Sequence, residues 1–320
     1  MARLFRAFIF KISKDITFRI TLIIGAAIAV FTTGIYLILS SAMSDEFGEG
    51  AKILTGQGML ITSLSPVQNF GIAIPINLIS FTVLEFTQGT IRNKIIAGHS
   101  KFKIYSSLYL TGLVYGFALL ITYVGICTGL GSIFGGFDPN GTAMVGTSIG
   151  GKISAEFLLK FVVLGIFSYV SIISFTIFIV TTFRSMGPSI PLVIVGLMGC
   201  YFLAYIFQII VATMDVMSGA MPAAIDASSS MDPQAISSSI EAVSEETTMT
   251  VDSGTMSTLK NVLNVLKVVD PLYGISALDS VDGVASIDNF TFFAGVGSNI
   301  FYAAAFFGLG SFFFQRRDIK

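Results

Sequence analysis

Residues 85–105, EFTQGTIRNKIIAGHSKFKIY, are a short charged stretch between two long apolar segments. The basic side chains of this stretch are Arg92, Lys94, Lys101 and Lys103. It also holds His99, the single histidine of the chain, and no acidic residue follows Glu85 until Asp138. Because Lys and Arg concentrate in short loops at one side of a membrane, the stretch predicts a basic elbow that joins two membrane-spanning helices.

The composition on either side of this elbow is that of a membrane protein. Of the 320 residues, 53% are hydrophobic and only 12% are charged, and the mean hydropathy is +0.84. Soluble domains are about one quarter charged, and uncharged runs of about 20 residues are typical of membrane spans. We therefore expect an all-α integral membrane protein that forms one domain over residues 1–320.

The apolar runs predict six transmembrane helices, and we interpret the polar stretches between them as loops. The expected spans are about 16–41, 67–89, 105–133, 155–183, 189–213 and 289–314. Residues 42–66 are predicted as an outside loop that in part dips back towards the membrane. The largest polar piece, about 214–288, is predicted as an extracytoplasmic segment between the fifth and sixth spans, with one helix over its second half.

The first fifteen residues carry a helical pattern of apolar side chains. Positions 4, 5, 8, 9 and 12 share one face, and four Lys or Arg residues are interleaved with them. This predicts an amphipathic helix that lies in the membrane interface. Two alternatives remain open, a plain positive flank of the first span or a cleaved signal peptide, although the apolar run is longer than a signal core.

The uneven distribution of charge predicts which side each loop occupies. The N-terminus, the elbow, the 184–188 connector and the C-terminus together hold 13 of the 18 Lys and Arg residues but only 3 of the 19 acidic ones. By the positive-inside rule this side is cytoplasmic. We therefore expect an even number of spans, with both termini in the cytoplasm of what we take to be a bacterial plasma membrane.

Glu85 is the charged residue that most needs an explanation, because it lies near the end of an apolar run. One interpretation is a link between the second span and the elbow, through a pair with Arg92 or Lys94. The other is a carboxylate that already lies at the headgroup level, where its charge costs little. The sequence leaves both open.

Two further patterns predict packing contacts between the spans. Gly112 and Gly116 are a pair of small residues one helical turn apart, which favours a close helix contact. Glu156 and Lys160 are also one turn apart and are predicted to pair as a structural staple.

We find no catalytic or metal-binding pattern in the chain. Gly146, Gly151 and Lys152 reproduce the spacing of a phosphate-binding loop, but Ile153 stands where a magnesium-binding hydroxyl is needed. The two cysteines lie in apolar runs and have no metal-ligand spacing. We therefore expect no enzyme activity, cofactor or metal in this chain itself, and no nucleic-acid partner.

The elbow and the C-terminus each resemble a motif of one transporter family. Glu85, Gly89 to Lys94, Gly98, and Lys101 to Tyr105 resemble the first cytoplasmic loop of the membrane subunit of type-2 ABC exporters, the ABC-2 permeases. The ending FQRRDIK, residues 314–320, is similar to a tail that is frequent in the same family. The predicted layout of an interfacial helix, six spans and a large outer segment also resembles this family over essentially the full chain.

The resemblance implies a transport function and a set of coupling residues. In this family the first cytoplasmic loop docks in a groove of a separate ATP-binding subunit, which implies that residues 89–105 transmit force here. The residues implied in ATPase coupling are Glu85, Gly89, Thr90, Ile91, Arg92, Asn93, Lys94, Gly98 and His99. ATP and Mg²⁺ would then be bound by the partner subunit, and a second permease copy or a sister permease would complete the path.

Two other classes of function stay open at this point. A secondary transporter driven by an ion gradient would need inverted repeats or broken helices, of which Pro75 in the second span is the one sign. A peptide-sensing receptor or scaffold would use the 214–288 segment outside the membrane. The long, Ser- and Met-rich outer segment leaves the substrate unspecified.

Overall fold

A computed structural model describes residues 2–14, 16–47, 55–65, 70–137, 142–145, 148–200, 202–203, 206, 280–281, 284–285, 287 and 289–316. The helices in these ranges are α1 Ala2–Lys14, α2 Ile16–Phe47, α3 Gly56–Leu64, α4 Phe70–Thr87, α5 Thr90–Ile96, α6 Lys101–Gly135, α7 Ala155–Phe183, α8 Met186–Cys200 and α9 Asn289–Arg316. Four short strands are β1 Thr142–Val145, β2 Ser148–Ile153, β3 Ser280–Val281 and β4 Val284–Ala285.

Four of these helices are long and apolar enough to cross a bilayer. They are Ile16–Ile38 within α2, the whole of α6 and α7, and Phe292–Arg316 within α9. They coincide with the predicted first, third, fourth and sixth spans, and α7 has the predicted bounds. The predicted second and fifth spans fall on the shorter apolar helices Ala73–Thr87 and Met186–Cys200.

The N-terminal ends of three helices are held by hydroxyl side chains. Thr55 Oγ1 accepts from the Gly58 amide of α3 at 3.1 Å, and Ser154 Oγ accepts from the Phe157 amide of α7 at 3.1 Å. Ser100 Oγ accepts from the Lys103 amide of α6 at 3.4 Å. These hydroxyls satisfy amides that have no partner within the helix, which is why the helices begin where they do.

The core lies where α4, α6 and α7 pack together, and glycines bring the helices close. A Cβ atom added at Gly112 would lie 2.7 Å from Ile177 Cδ1 of α7, and one at Gly116 would lie 2.5 Å from Ile173 Cδ1. A side chain at either position would have to displace the facing isoleucine of α7. The close contact predicted from the Gly112 and Gly116 spacing is confirmed.

Two ends of the bundle can be told apart. The predicted 184–188 connector is shorter in the structure, where residues 184–185 join α7 to α8; we call these two residues the Arg184 connector. The end where α1, α5, the Arg184 connector and the last turn of α9 meet is named the basic end. The distal end holds α3, the last turn of α6 and the first turns of α7 and α9. Since α7 has 29 residues and rises about 1.5 Å per residue, these ends lie on the order of 40 Å apart.

The predicted outside loop over residues 42–66 is wrong in part. Residues 42–47 continue helix α2, and Gly56–Leu64 form the short helix α3. Seven of the nine residues of α3 are buried, because it packs against α6 and α7 at the distal end. The dip of this stretch back towards the membrane stays a prediction.

A small sheet was not predicted. β1 pairs antiparallel with β2, β2 parallel with β4, and β4 antiparallel with β3, in the order β1-β2-β4-β3. It joins the stretch before α7 to the stretch before α9, so the chain is helical apart from this sheet within the described ranges. Most of the predicted 214–288 segment, including its predicted helix, lies outside the described residues.

Candidate functional site at the basic end

The elbow is a helix of seven residues held between two glycines with left-handed backbone. Gly89, before α5, has φ of 67°, and Gly98, after it, has φ of 82°. Side chains rarely adopt positive φ, so glycine suits both corners. The chain leaves α4 at Thr87, forms α5, and enters α6 at Lys101. The predicted third span therefore begins four residues earlier than its expected start at residue 105.

Glu85 is fully buried and its partner is Lys94. The Lys94 ammonium donates to Glu85 Oε2 at 3.2 Å, and Thr90 Oγ1 lies 2.5 Å from the same oxygen. The Glu85 side chain is 1% exposed, against 21% for that of Lys94. Of the two interpretations, the link between the second span and the elbow is thus the one observed. Arg92, the other predicted partner, is exposed at the surface of α5.

Lys94 also joins the elbow to the N-terminal helix. Its ammonium nitrogen lies 3.3 Å from the centroid of the Phe8 ring of α1, a cation–π contact. Phe8 itself is 1% exposed. One cation therefore connects α1, the end of α4 and α5. Sequence reasoning missed this role of Phe8, although it placed the residue on the apolar face of the first helix.

The apolar face of α1 packs partly against protein. Phe8 and Ile12 are buried, and Ile12 belongs to the main core cluster with Ile104 and Tyr105 of α6. Phe10 is 65% exposed. The predicted amphipathic helix is confirmed, and its buried residues Phe8 and Ile12 fix α1 against the protein. Its position in the membrane interface stays a prediction.

The predicted coupling residues divide into an inner and an outer group. Glu85 and Ile91 are buried, while Gly89, Thr90 and Lys94 are half-buried. The exposed members are Arg92, Asn93, Gly98 and His99. Ile96 was missed by the sequence analysis and is 74% exposed at the tip of the elbow. The sequence feature that could have identified Ile96 is that it is an apolar residue inside a charged stretch.

The elbow is also tied to the C-terminal helix and to the Arg184 connector. The Lys101 ammonium donates to the Gln315 carbonyl oxygen at 3.1 Å. The Phe86 ring lies 6.3 Å from that of Phe314 between centroids, and the Arg184 guanidinium lies 5.7 Å from the Phe86 centroid. The four segments predicted on one side of the membrane therefore meet at one end of the bundle.

A cavity of about 600 Å³ lies next to the buried ion pair. Its lining residues are Phe10, Lys14, Thr17, Phe81, Leu84, Glu85 and Gln88. The cavity separates the α1–α2 junction from the last turns of α4. Glu85 belongs to the lining of this cavity, but its side chain stays 1% exposed because it packs against Lys94 and Thr90.

The residues with phosphate-loop spacing do not form such a loop where they are described. Gly151 and Lys152 lie in strand β2, where they pair with Ala143 and Thr142 of β1, and Gly146 lies outside the described residues. No group of three His, Cys, Asp or Glu residues within the described part of the chain could hold a metal ion.

Comparison with known proteins adds no relative. No protein-family model, no curated protein and no solved structure matches this chain.

Proposed function

We propose that this chain is the membrane-spanning permease subunit of an ABC exporter, and that residues 89–105 dock a separate ATP-binding subunit. The observation that carries the proposal is the joint at Lys94. Because this side chain contacts Glu85 of α4 and Phe8 of α1, a push on α5 moves α1, α4 and α6 together. A stiff element of this kind is what transmission of nucleotide-driven motion requires.

The outer face of the elbow suits a protein partner. Arg92 and His99 offer donors, Asn93 offers an amide, and Ile96 is a large apolar side chain exposed at the tip. An apolar anchor surrounded by polar and cationic groups is typical of an interface centre and its rim. The expected partner surface is an acidic groove with an apolar pocket.

The proposal also includes the number of membrane spans and the side on which each terminus lies. α4 and α8 would complete six spans, and the basic end would lie in the cytoplasm with both termini. The convergence of four basic segments at one end supports this orientation. A second copy or a sister permease would close the substrate path, and the partner subunit would bind ATP and Mg²⁺.

The test is purification of the tagged full chain from its native membrane in mild detergent. The double variant Arg92→Glu, Ile96→Glu changes the exposed face of α5 and leaves Lys94 in place. Arg316→Glu is the matched control, because it reverses an exposed charge at the same end outside the elbow.

We expect a soluble ATP-hydrolysing subunit to co-purify with the wild type and with the control, and to be lost from the double variant. A chain that purifies without such a subunit would overturn the proposal. So would undiminished association of the double variant.

A further inference from the structure

A groove lies on the outside of the bundle, away from the basic joint at Lys94. It lies between α6, α7 and α9 and has a volume of about 500 Å³. Its rim is exposed, with Phe102 at 46%, Leu110 at 41% and Ile300 at 49%. The remaining lining is almost wholly apolar and includes Phe167, Ala304 and Phe307. A groove of this size lies within the range of sites that bind small molecules.

One polar group in this apolar wall lacks a partner. Ser106 is 3% exposed, and its Oγ has no hydrogen-bond partner in the described part of the chain. The neighbouring Ser107 Oγ, by contrast, donates to the Ile104 carbonyl oxygen at 2.9 Å. The Tyr109 hydroxyl in the same groove is already bonded to Ser174 Oγ at 2.8 Å. Burying an unpaired hydroxyl costs free energy, so a ligand atom at Ser106 would relieve this cost.

A cationic residue precedes this hydroxyl by about one helical turn of α6. Lys103 is exposed and precedes Ser106 by three residues, so both lie on one face of α6. Leu110 follows on the same face. Along about 10 Å of helix the surface changes from a cation at the basic end to a hydroxyl and then to an apolar groove.

We propose that this groove binds one phospholipid from the leaflet at the basic end. Its phosphate pairs with the Lys103 ammonium, an ester carbonyl accepts from Ser106 Oγ, and an acyl chain lies along Phe102, Leu110 and Phe307. The order of charge, hydroxyl and apolar surface matches that of a phospholipid from headgroup to chain. This inference does not depend on the proposed transport function. Phe102 and Lys103 fall within residues 89–105, but they are not among the residues implied in ATPase coupling, which end at His99.

The experiment measures phospholipid retained by the purified full chain, using native mass spectrometry after controlled delipidation and titration with phosphatidylglycerol. Three variants change the groove: Lys103→Gln, Ser106→Ala and Ala304→Trp. Two matched controls change neighbours outside it: Ser107→Ala on α6 and Phe301→Trp on the exposed side of α9.

We expect one retained phospholipid per wild-type chain and per control chain. Affinity should fall roughly fivefold in Lys103→Gln, since one surface cation is lost, and about threefold in Ser106→Ala, since one hydrogen bond is lost. Ala304→Trp fills the groove and should abolish retention.

Equal retention in Ala304→Trp and Phe301→Trp would overturn the proposal, because lipid would then bind outside the groove. Displacement of the lipid by oleate at equal concentration, with no effect of Lys103→Gln, would also overturn it in favour of a free fatty acid. Lys103 is exposed, so its variant keeps the test decisive even if Ala304→Trp does not fold.

Discussion

The basic end and the distal end of this bundle are held together by different physical means. At the basic end, a buried carboxylate, one lysine and an aromatic ring join three helices, with Glu85, Lys94 and Phe8 in direct contact. At the distal end, α3 is held by steric fit: a Cβ atom at Gly131 would lie 2.6 Å from Met59 Cγ, and one at Gly165 would lie 2.7 Å from Leu64 Cγ.

The contrast shows how each end can fail. A polar joint is broken by removing one partner, because the other is left buried and charged. A steric joint is broken by adding atoms, because neighbouring backbone and side chains cannot move apart without cost. Under the proposed function, the polar joint lies at the end that would present a docking surface and transmit motion, whereas the steric joint holds α3 in place.

Removal of the cation at the basic end is expected to have the largest effect. Lys94→Ala leaves the Glu85 carboxylate buried without its ion-pair partner, which we expect to lower the free energy of unfolding by about 3 kcal/mol. The measurement is denaturation of the purified chain by SDS titration. Arg92→Ala, on the exposed face of the same helix, is the control and should change the value by less than about 0.5 kcal/mol. If both variants lose the same free energy of unfolding, the buried and exposed residues of the elbow do not differ in their contribution to stability.

Addition of a side chain at the distal end is expected to have an intermediate effect. Gly131→Leu places a Cβ atom 3.2 Å from the Thr55 carbonyl oxygen as well as against Met59. Displacement of α3 should cost about 2 kcal/mol, seen as a lower thermal unfolding midpoint. Gly129→Leu is the matched control on the same helix, because nothing lies within 4 Å of its added Cβ atom. If both variants melt alike, α3 is not held by close packing at Gly131.

The smallest effect is expected at a polar joint of the distal end, the contact of Lys160 with the beginning of α9. Lys160 donates to the Ile287 carbonyl oxygen at 3.0 Å and to Asn289 Oδ1 at 2.8 Å, and so ties α7 to the beginning of α9. Lys160→Met should cost about 1 kcal/mol through these lost hydrogen bonds.

The predicted pair of Lys160 with Glu156 is confirmed at 2.7 Å. Glu156→Gln serves as the comparison, since the Glu156 side chain is 75% exposed and its pair is screened by water. Its thermal midpoint should not move measurably. A larger shift in Glu156→Gln than in Lys160→Met would show that the ion pair, and not the contact with α9, is the staple.

The sequence predicted the elbow but not its orientation. A charged stretch between two apolar runs is local information, and so are the glycines that end α5. Which side chains turn inward depends on how those two glycines rotate a helix of seven residues against α1 and α4. The sequence spacing therefore allowed either Arg92 or Lys94 as the partner of Glu85. The packing of α5 against α1 and α4 places Lys94 in contact with it.

The sequence by itself determined where the apolar helices lie and how unevenly the charges are distributed. Both properties depend only on which residues follow one another along the chain, and not on tertiary contacts. The insertion of α3 between α6 and α7, the contact of Lys94 with Phe8 and the sheet between residues 142–153 and 280–285 were decided by the tertiary structure. Each joins residues that are distant along the chain, and its energy arises only when they are in contact. No local pattern of residues 56–64 encodes the glycines at positions 131 and 165 that make room for them.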